Sequence, residues 1–105
     1  MTARRRLPDR RSAETWELEV GGLHYTVTFG FRSDGTPAEV FLNGRKMGST
    51  ADTNARDAAI AASFALQHGA DPNALRAALS RNSHGEASGV LGAALDLLAA
   101  KDKPI

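Results

Sequence analysis

From Trp16 onward apolar and polar residues alternate. Trp16, Leu18 and Val20 fall on one side and Glu17 and Glu19 on the other, the period of a half-buried strand. Gly21-Gly22 follows, and adjacent glycines accept the positive dihedrals of a primed turn, so a hairpin is predicted. The second strand places Tyr25, Val27, Phe29 and Phe31 on one face and His24, Thr26 and Thr28 on the other. Ser33-Asp34-Gly35 marks the next reversal. Pro37 has no N–H for a ladder, which puts the third strand at about Ala38 to Asn43. Val40 and Leu42 then face the core, while Phe41 points the opposite way, toward a flanking loop or a partner.

Beyond Asn43 the period lengthens to that of a helix. Asp52 is the predicted N-cap, with Thr50 as competitor, and the helix runs through Ala55 to about His68, where Gly69 ends it. Ile60 and Phe64 lie one turn apart among Ala58, Ala59, Ala61, Ala62, Ser63 and Ala65, small residues that let a neighbour approach closely. Asp71-Pro72 restarts a helix with a capping acceptor and a proline at its first position, and Leu75 and Leu79 form its stripe. After the turn-rich Ser80–Glu86 stretch, Ser88 is the expected cap of a last helix bearing Leu91, Leu95 and Leu98 on one face. The predicted fold class is α+β: a three-stranded antiparallel β-meander followed by two to three α-helices packed on one face. It forms a single domain over residues 14–100, between a basic arm at 1–13 and a tail at 101–105.

Composition narrows the chemistry. A length of 105 residues suits one small domain, and 42% hydrophobic with 24% charged residues is globular rather than disordered. With no cysteine, disulfides, thiolate metal sites and thiol redox steps by this chain alone are excluded. No apolar run reaches the roughly 18 residues of a membrane span, and the arginine-rich start lacks the apolar stretch of a secretory signal, so a cytoplasmic location is expected. The net charge of +1 conceals an asymmetry, because Arg4, Arg5, Arg6, Arg10 and Arg11 face only Asp9 within the first thirteen residues. This arm is either a solvated terminus or a contact for nucleic acid or an acidic surface.

Candidate reactive groups are scattered. His24, His68 and His84 have no second ligand at helical or hairpin spacing, and His68 suits the last turn of a helix, where a cation meets the dipole. Glu17 and Glu19 share an exposed strand face, and Glu39 is a single acid near the following corner. That corner, Gly44-Arg45-Lys46-Met47-Gly48-Ser49, is the local cluster suited to an anion. Arg45 and Lys46 supply charge, Gly48 permits close approach, and Ser49 precedes the helix with its unpaired N–H groups. The spacing is not that of a P-loop, and the alternative is a plain strand-to-helix connection. No catalytic residue, metal site or cofactor emerges from these patterns.

Three motifs in order carry a family resemblance: Glu39-Val40-Phe41-Leu42-Asn43, Lys46-Met47-Gly48-Ser49 and Ala65-Leu66-Gln67-His68-Gly69. Together, across about residues 15–99, they resemble the domain named after a Thr-Ser-Cys-Pro-Asp motif (TSCPD). It is found near the C-terminus of adenosylcobalamin-dependent (class II) ribonucleotide reductases and as short stand-alone bacterial proteins. The name-giving motif is expected around Gly85 to Leu91, but this chain has Gly-Glu-Ala-Ser-Gly-Val-Leu there, with neither cysteine nor proline. Any metal-binding or electron-passing role of that thiol therefore does not carry over. The resemblance implies a non-catalytic accessory or interaction module that binds a partner protein, such as a reductase subunit, or associates with itself as a homo-oligomer. The alternatives are a small regulator holding a nucleotide or phosphate at the corner and a nucleic-acid contact through the arm.

Overall fold

The computed structural model describes residues 12–101. Its elements are β1 (Ala13–Val20), β2 (Leu23–Phe31), β3 (Pro37–Gly44), α1 (Thr50–Gln67), α2 (Pro72–Ala78) and α3 (Val90–Lys101). The strands form one antiparallel sheet in the order β1-β2-β3, the meander the alternation predicted, each edge strand extending slightly beyond its expected bounds. Trp16 faces Val27 across β1–β2, and Val27 faces Leu42 across β2–β3, with a register shift at Gly30/Phe31. The inward positions Tyr25, Val27, Phe29, Val40 and Leu42 are buried together with Ala55, Ala59, Ala62, Ala94, Leu95 and Leu98. Phe29, Leu42, Leu66 and Leu95 are its largest fully enclosed side chains. Trp16 tilts against Phe29 at 5.7 Å between ring centroids, and Lys101 Nζ sits 4.2 Å from the Trp16 centroid, which ties the end of α3 to β1.

Helix α1 differs from expectation at its start. Its N-cap is Ser49, whose side chain accepts from the Asp52 N–H at 3.1 Å, rather than Asp52 or Thr50. Asp52 lies inside the first turn and is buried, because its carboxylate is required elsewhere, as described below. The buried face also carries Ala55, Ala59, Ala62 and Leu66, leaving Ile60 and Phe64 57% and 47% exposed. The physical reason is proximity. Methyl groups let the helix axis lie close enough to β3 for short polar side chains to reach its backbone, whereas Ile60 or Phe64 on that face would hold the elements apart.

At its other end α1 closes on Gly69, at φ +98°, with the Gly69 N–H donating to Leu66 O and the Ala70 N–H to Ala65 O. Arg32, just past β2, supplies the cation that the last turn lacks, donating from Nη2 to Leu66 O at 2.8 Å. His68 is structural there, with Nδ1 2.8 Å from Phe64 O. Asp71 caps α2 by accepting from the Asn73 N–H, with Pro72 in the first turn as expected. The first bond of α3 runs from Ala93 N–H to Gly89 O, so Ser88 lies one residue outside the position predicted for it. Among the described residues no helix is long and apolar enough to cross a membrane.

Candidate functional site

Two neighbouring regions carry the candidate residues: the corner between β3 and α1, and the seam along which those elements pack. At the corner, Asp52 Oδ1 accepts from the Gly44 N–H at 2.7 Å and Oδ2 from the Gly48 N–H at 3.0 Å. These bonds, Gly48 first, hold the Asp52 carboxyl below the ordinary carboxylate range, with the Arg56 charge assisting and burial opposing. Ser49 Oγ in turn donates to Lys46 O at 2.8 Å. The corner thus already contains an anion, that of Asp52. A Cβ added at 44 would lie 3.0 Å from both Cα and Cβ of Asp52, so a side chain there would crowd the start of α1.

The structure brings Arg45, Lys46 and Ser49 to one cleft of about 400 Å³, also bordered by Leu23, His24 and Tyr25. Arg45 and Lys46 are exposed, Ser49 is half-buried as the helix cap, and the Gly48 N–H is occupied by Asp52. Glu39 is at the opposite end of β3 from this corner, so the acid that belongs to the corner is Asp52 and not Glu39. The sequence Ser49-Thr50-Ala51-Asp52, a cap followed three residues later by an acid, marks the start of α1 but not the bonds Asp52 makes to Gly44 and Gly48.

The seam is built from an agreement of repeats. Helix α1 runs antiparallel to β3, pairing Gly44 with Asp52, Asn43 with Arg56, Val40 with Ser63 and Ala38 with Gln67. Four helical residues rise about 6 Å, close to the roughly 6.6 Å of two strand residues, so Ser63 and Gln67 keep step with Val40 and Ala38. Ser63 Oγ accepts from Val40 N–H at 2.9 Å and donates to Val40 O at 3.0 Å, while Gln67 Nε2 donates to Ala38 O at 3.1 Å. Three side chains thereby occupy backbone groups that an edge strand ordinarily leaves open.

On the solvent side of this seam lies a groove of about 380 Å³. Phe41 from β3 and Ile60 and Phe64 from α1 line it, and Phe41 is 50% exposed. Glu39 lies toward one end, and Asn43 with Arg56 toward the other. The sequence singled out Phe41 but missed Ile60, Phe64 and Arg56, whose orientation depends on the seam. Arg4, Arg5, Arg6, Arg10 and Arg11 lie outside the described residues. Among those described, no cluster of three or more histidine or acidic side chains is placed to hold a metal.

A family model described as the TSCPD domain matches residues 1–100. The chain belongs to that family. No curated protein and no solved structure matches it. In this TSCPD domain the loop where the name-giving motif was expected has no thiol. It is held by the Arg81–Ala87 bridge, the Ser88 N–H to Ser80 O bond and the Arg81 Nη1 bond to Gly85 O. Behind it, Asp96 joins α3 to Arg76 of α2 and to Arg81, each at 2.7 Å. The Arg81 hydrogen bond first, and Arg76 after it, lower the Asp96 carboxyl to about 2 against the opposing effect of burial. These contacts organise the helical half.

Proposed function

We propose that this TSCPD domain acts as a non-catalytic accessory module, and that the β3–α1 groove is its protein-contact surface. The observation that carries the reading is the convergence of Phe41, Ile60 and Phe64, each about half exposed, beside a strand edge where Gly44 N–H, both Val40 groups and Ala38 O are already engaged. Large apolar side chains clustered on a surface favour burial against another protein. The strand cannot satisfy itself by adding a partner strand at Val40, so contact runs through side chains. In keeping with the family, the heterologous partner we favour is a ribonucleotide reductase catalytic subunit, met in the cytoplasm.

Calorimetric titration of the purified chain with such a subunit from the same cell tests the reading. A complex weakened roughly thirtyfold or more by Phe41→Asp is expected of a central aromatic contact. Absence of any complex at about 100 µM, together with no self-association, would overturn it.

A second reading places an inorganic or nucleotide phosphate in the cleft of Arg45 and Lys46. It is favoured by the convergence of those cations with Ser49, and opposed by the occupation of the corner amides by Asp52. Millimolar ATP should then raise the melting temperature, and Arg45→Ala with Lys46→Ala should abolish the rise. An unchanged melt with wild-type protein excludes this reading.

A further inference from the structure

We infer that Asn43-Gly44 is a self-modification site, where the Gly44 nitrogen displaces ammonia from the Asn43 side chain, and that Asp52 holds this reaction in check. Three observations carry this: the dipeptide itself, the exposure of Asn43, and the way the Gly44 amide is fastened. Among the asparagines of the chain, glycine follows Asn43, whereas alanine follows Asn54 and Asn73 and serine follows Asn82. Glycine has no Cβ, so its nitrogen is the least hindered of these in approaching a side-chain carbonyl carbon. Asn43 is exposed near the end of β3, and its Oδ1 accepts a long bond of 3.3 Å from Arg56 Nη1.

The Gly44 amide is fastened from outside the sheet. Just past β3 the Arg45 N–H donates to His24 O at 3.0 Å, and bonding to the neighbouring strand alternates along an antiparallel edge. The Gly44 N–H therefore points away from β2, where Asp52 Oδ1 accepts it at 2.7 Å. Extended backbone keeps the Gly44 nitrogen turned from Asn43 Cγ, so ring closure requires the peptide between them to swing. Asp52 resists that swing, because it is anchored in the first turn of an 18-residue helix and is also bound to the Gly48 N–H at 3.0 Å. Release of this corner, short of unfolding the sheet, frees the peptide.

In the freed corner the Gly44 nitrogen gives up its proton and bonds to Asn43 Cγ. The Cγ–Nδ2 bond breaks, and ammonia leaves with that proton. The product is a cyclic imide. Water then opens it at Cγ to give aspartate, or at the backbone carbonyl carbon to give isoaspartate, whose main chain is longer by a methylene. Either product sets a new carboxylate beside Arg56 at the groove. In isoaspartate the lengthened chain also displaces Gly44 from Asp52, so the corner does not close again. A transient opening is thereby recorded permanently.

Peptide mass spectrometry of the full chain, incubated folded and in urea in the same mildly alkaline buffer, tests the proposal through the rate of amide loss at each asparagine. In urea Asn43 should convert fastest. In the folded chain it should slow by about tenfold or more, as expected when a hydrogen bond to a charged group must first break. Asp52→Ala should restore most of the lost rate at Asn43 and leave Asn73 and Asn82 unchanged, with a cooperative melt confirming that the variant is folded. For the wild type, the Asn43 rate should stay flat at urea concentrations well below the unfolding midpoint, because a local opening exposes little surface.

If Asn43 reacts no faster than Asn82 in urea, there is no site. An Asn43 rate in folded Asp52→Ala equal to that of folded wild type overturns the role of Asp52, as does a folded wild type that reacts as fast as the unfolded chain. A wild-type rate that climbs with urea in step with global unfolding overturns the local opening. Should Asp52→Ala fail to fold, the urea dependence of the wild type decides alone.

Discussion

Two adjoining faces of α1 divide its apolar residues unevenly. The face against β3 buries Asp52 and Gln67 with Ala55, Ala59, Ala62 and Leu66, while its neighbour leaves Ile60 and Phe64 about half exposed. Hydrophobicity alone would turn Ile60 and Phe64 further inward. What fixes its rotation is the need to satisfy an open strand edge, a demand met by short polar side chains at close range. The difference separates two kinds of surface on one element: the buried side holds the fold together, and the exposed side carries the proposed contact surface.

The sharpest way to break this distinction is Leu66→Ala on the buried side, which opens a cavity at a fully enclosed position. A loss of about 2–5 kcal/mol is expected in urea denaturation. Ser63→Ala removes the hydroxyl serving both Val40 groups and should cost roughly 1–3 kcal/mol, although it deletes a single oxygen. A loss indistinguishable from zero would mean that water replaces Ser63 and that the seam does not set the rotation.

Acid should expose the carboxylates next. Asp96 and Asp52 have folded pKa values below their ordinary 3.8, so their stabilisation is present above that value and lost as pH falls through the folded one. For Asp96, held at about 2, the loss falls between about pH 4 and pH 2 and amounts to about 1 kcal/mol after allowing for solvent screening. Asp96→Asn should flatten that part of a pH-resolved denaturation profile. The smallest effect belongs to the exposed side: Ile60→Ser at micromolar concentration should stay within about 0.5 kcal/mol of wild type. A larger loss from monomeric protein would show that the exposed side also supports the fold.

The sheet was legible because its signals are local. Alternation in β1 and β2, the Gly21-Gly22 turn and the position of Pro37 each depend on a few adjacent residues. The start of α1 was misplaced because the role of Asp52 is set by Gly44, eight residues earlier, which no capping preference encodes. Phe41 stood out from the strand period alone. Ile60, Phe64 and Arg56 did not, because only the antiparallel seam shows which of them share a surface with Phe41. The family motifs spanned this seam without revealing it, since Val40 and Leu42 account for the strand and the alanines for the helix.

The engagement of β3 by Asp52, Ser63 and Gln67 also limits how this protein can aggregate. Open-ended sheet growth requires two receptive edges on every subunit, one to join and one to be joined. Here one edge is closed by the chain's own helix, so even a mispaired β1 leads to two molecules and then stops. The same serine that steadies α1 acts as a chain terminator for polymerisation.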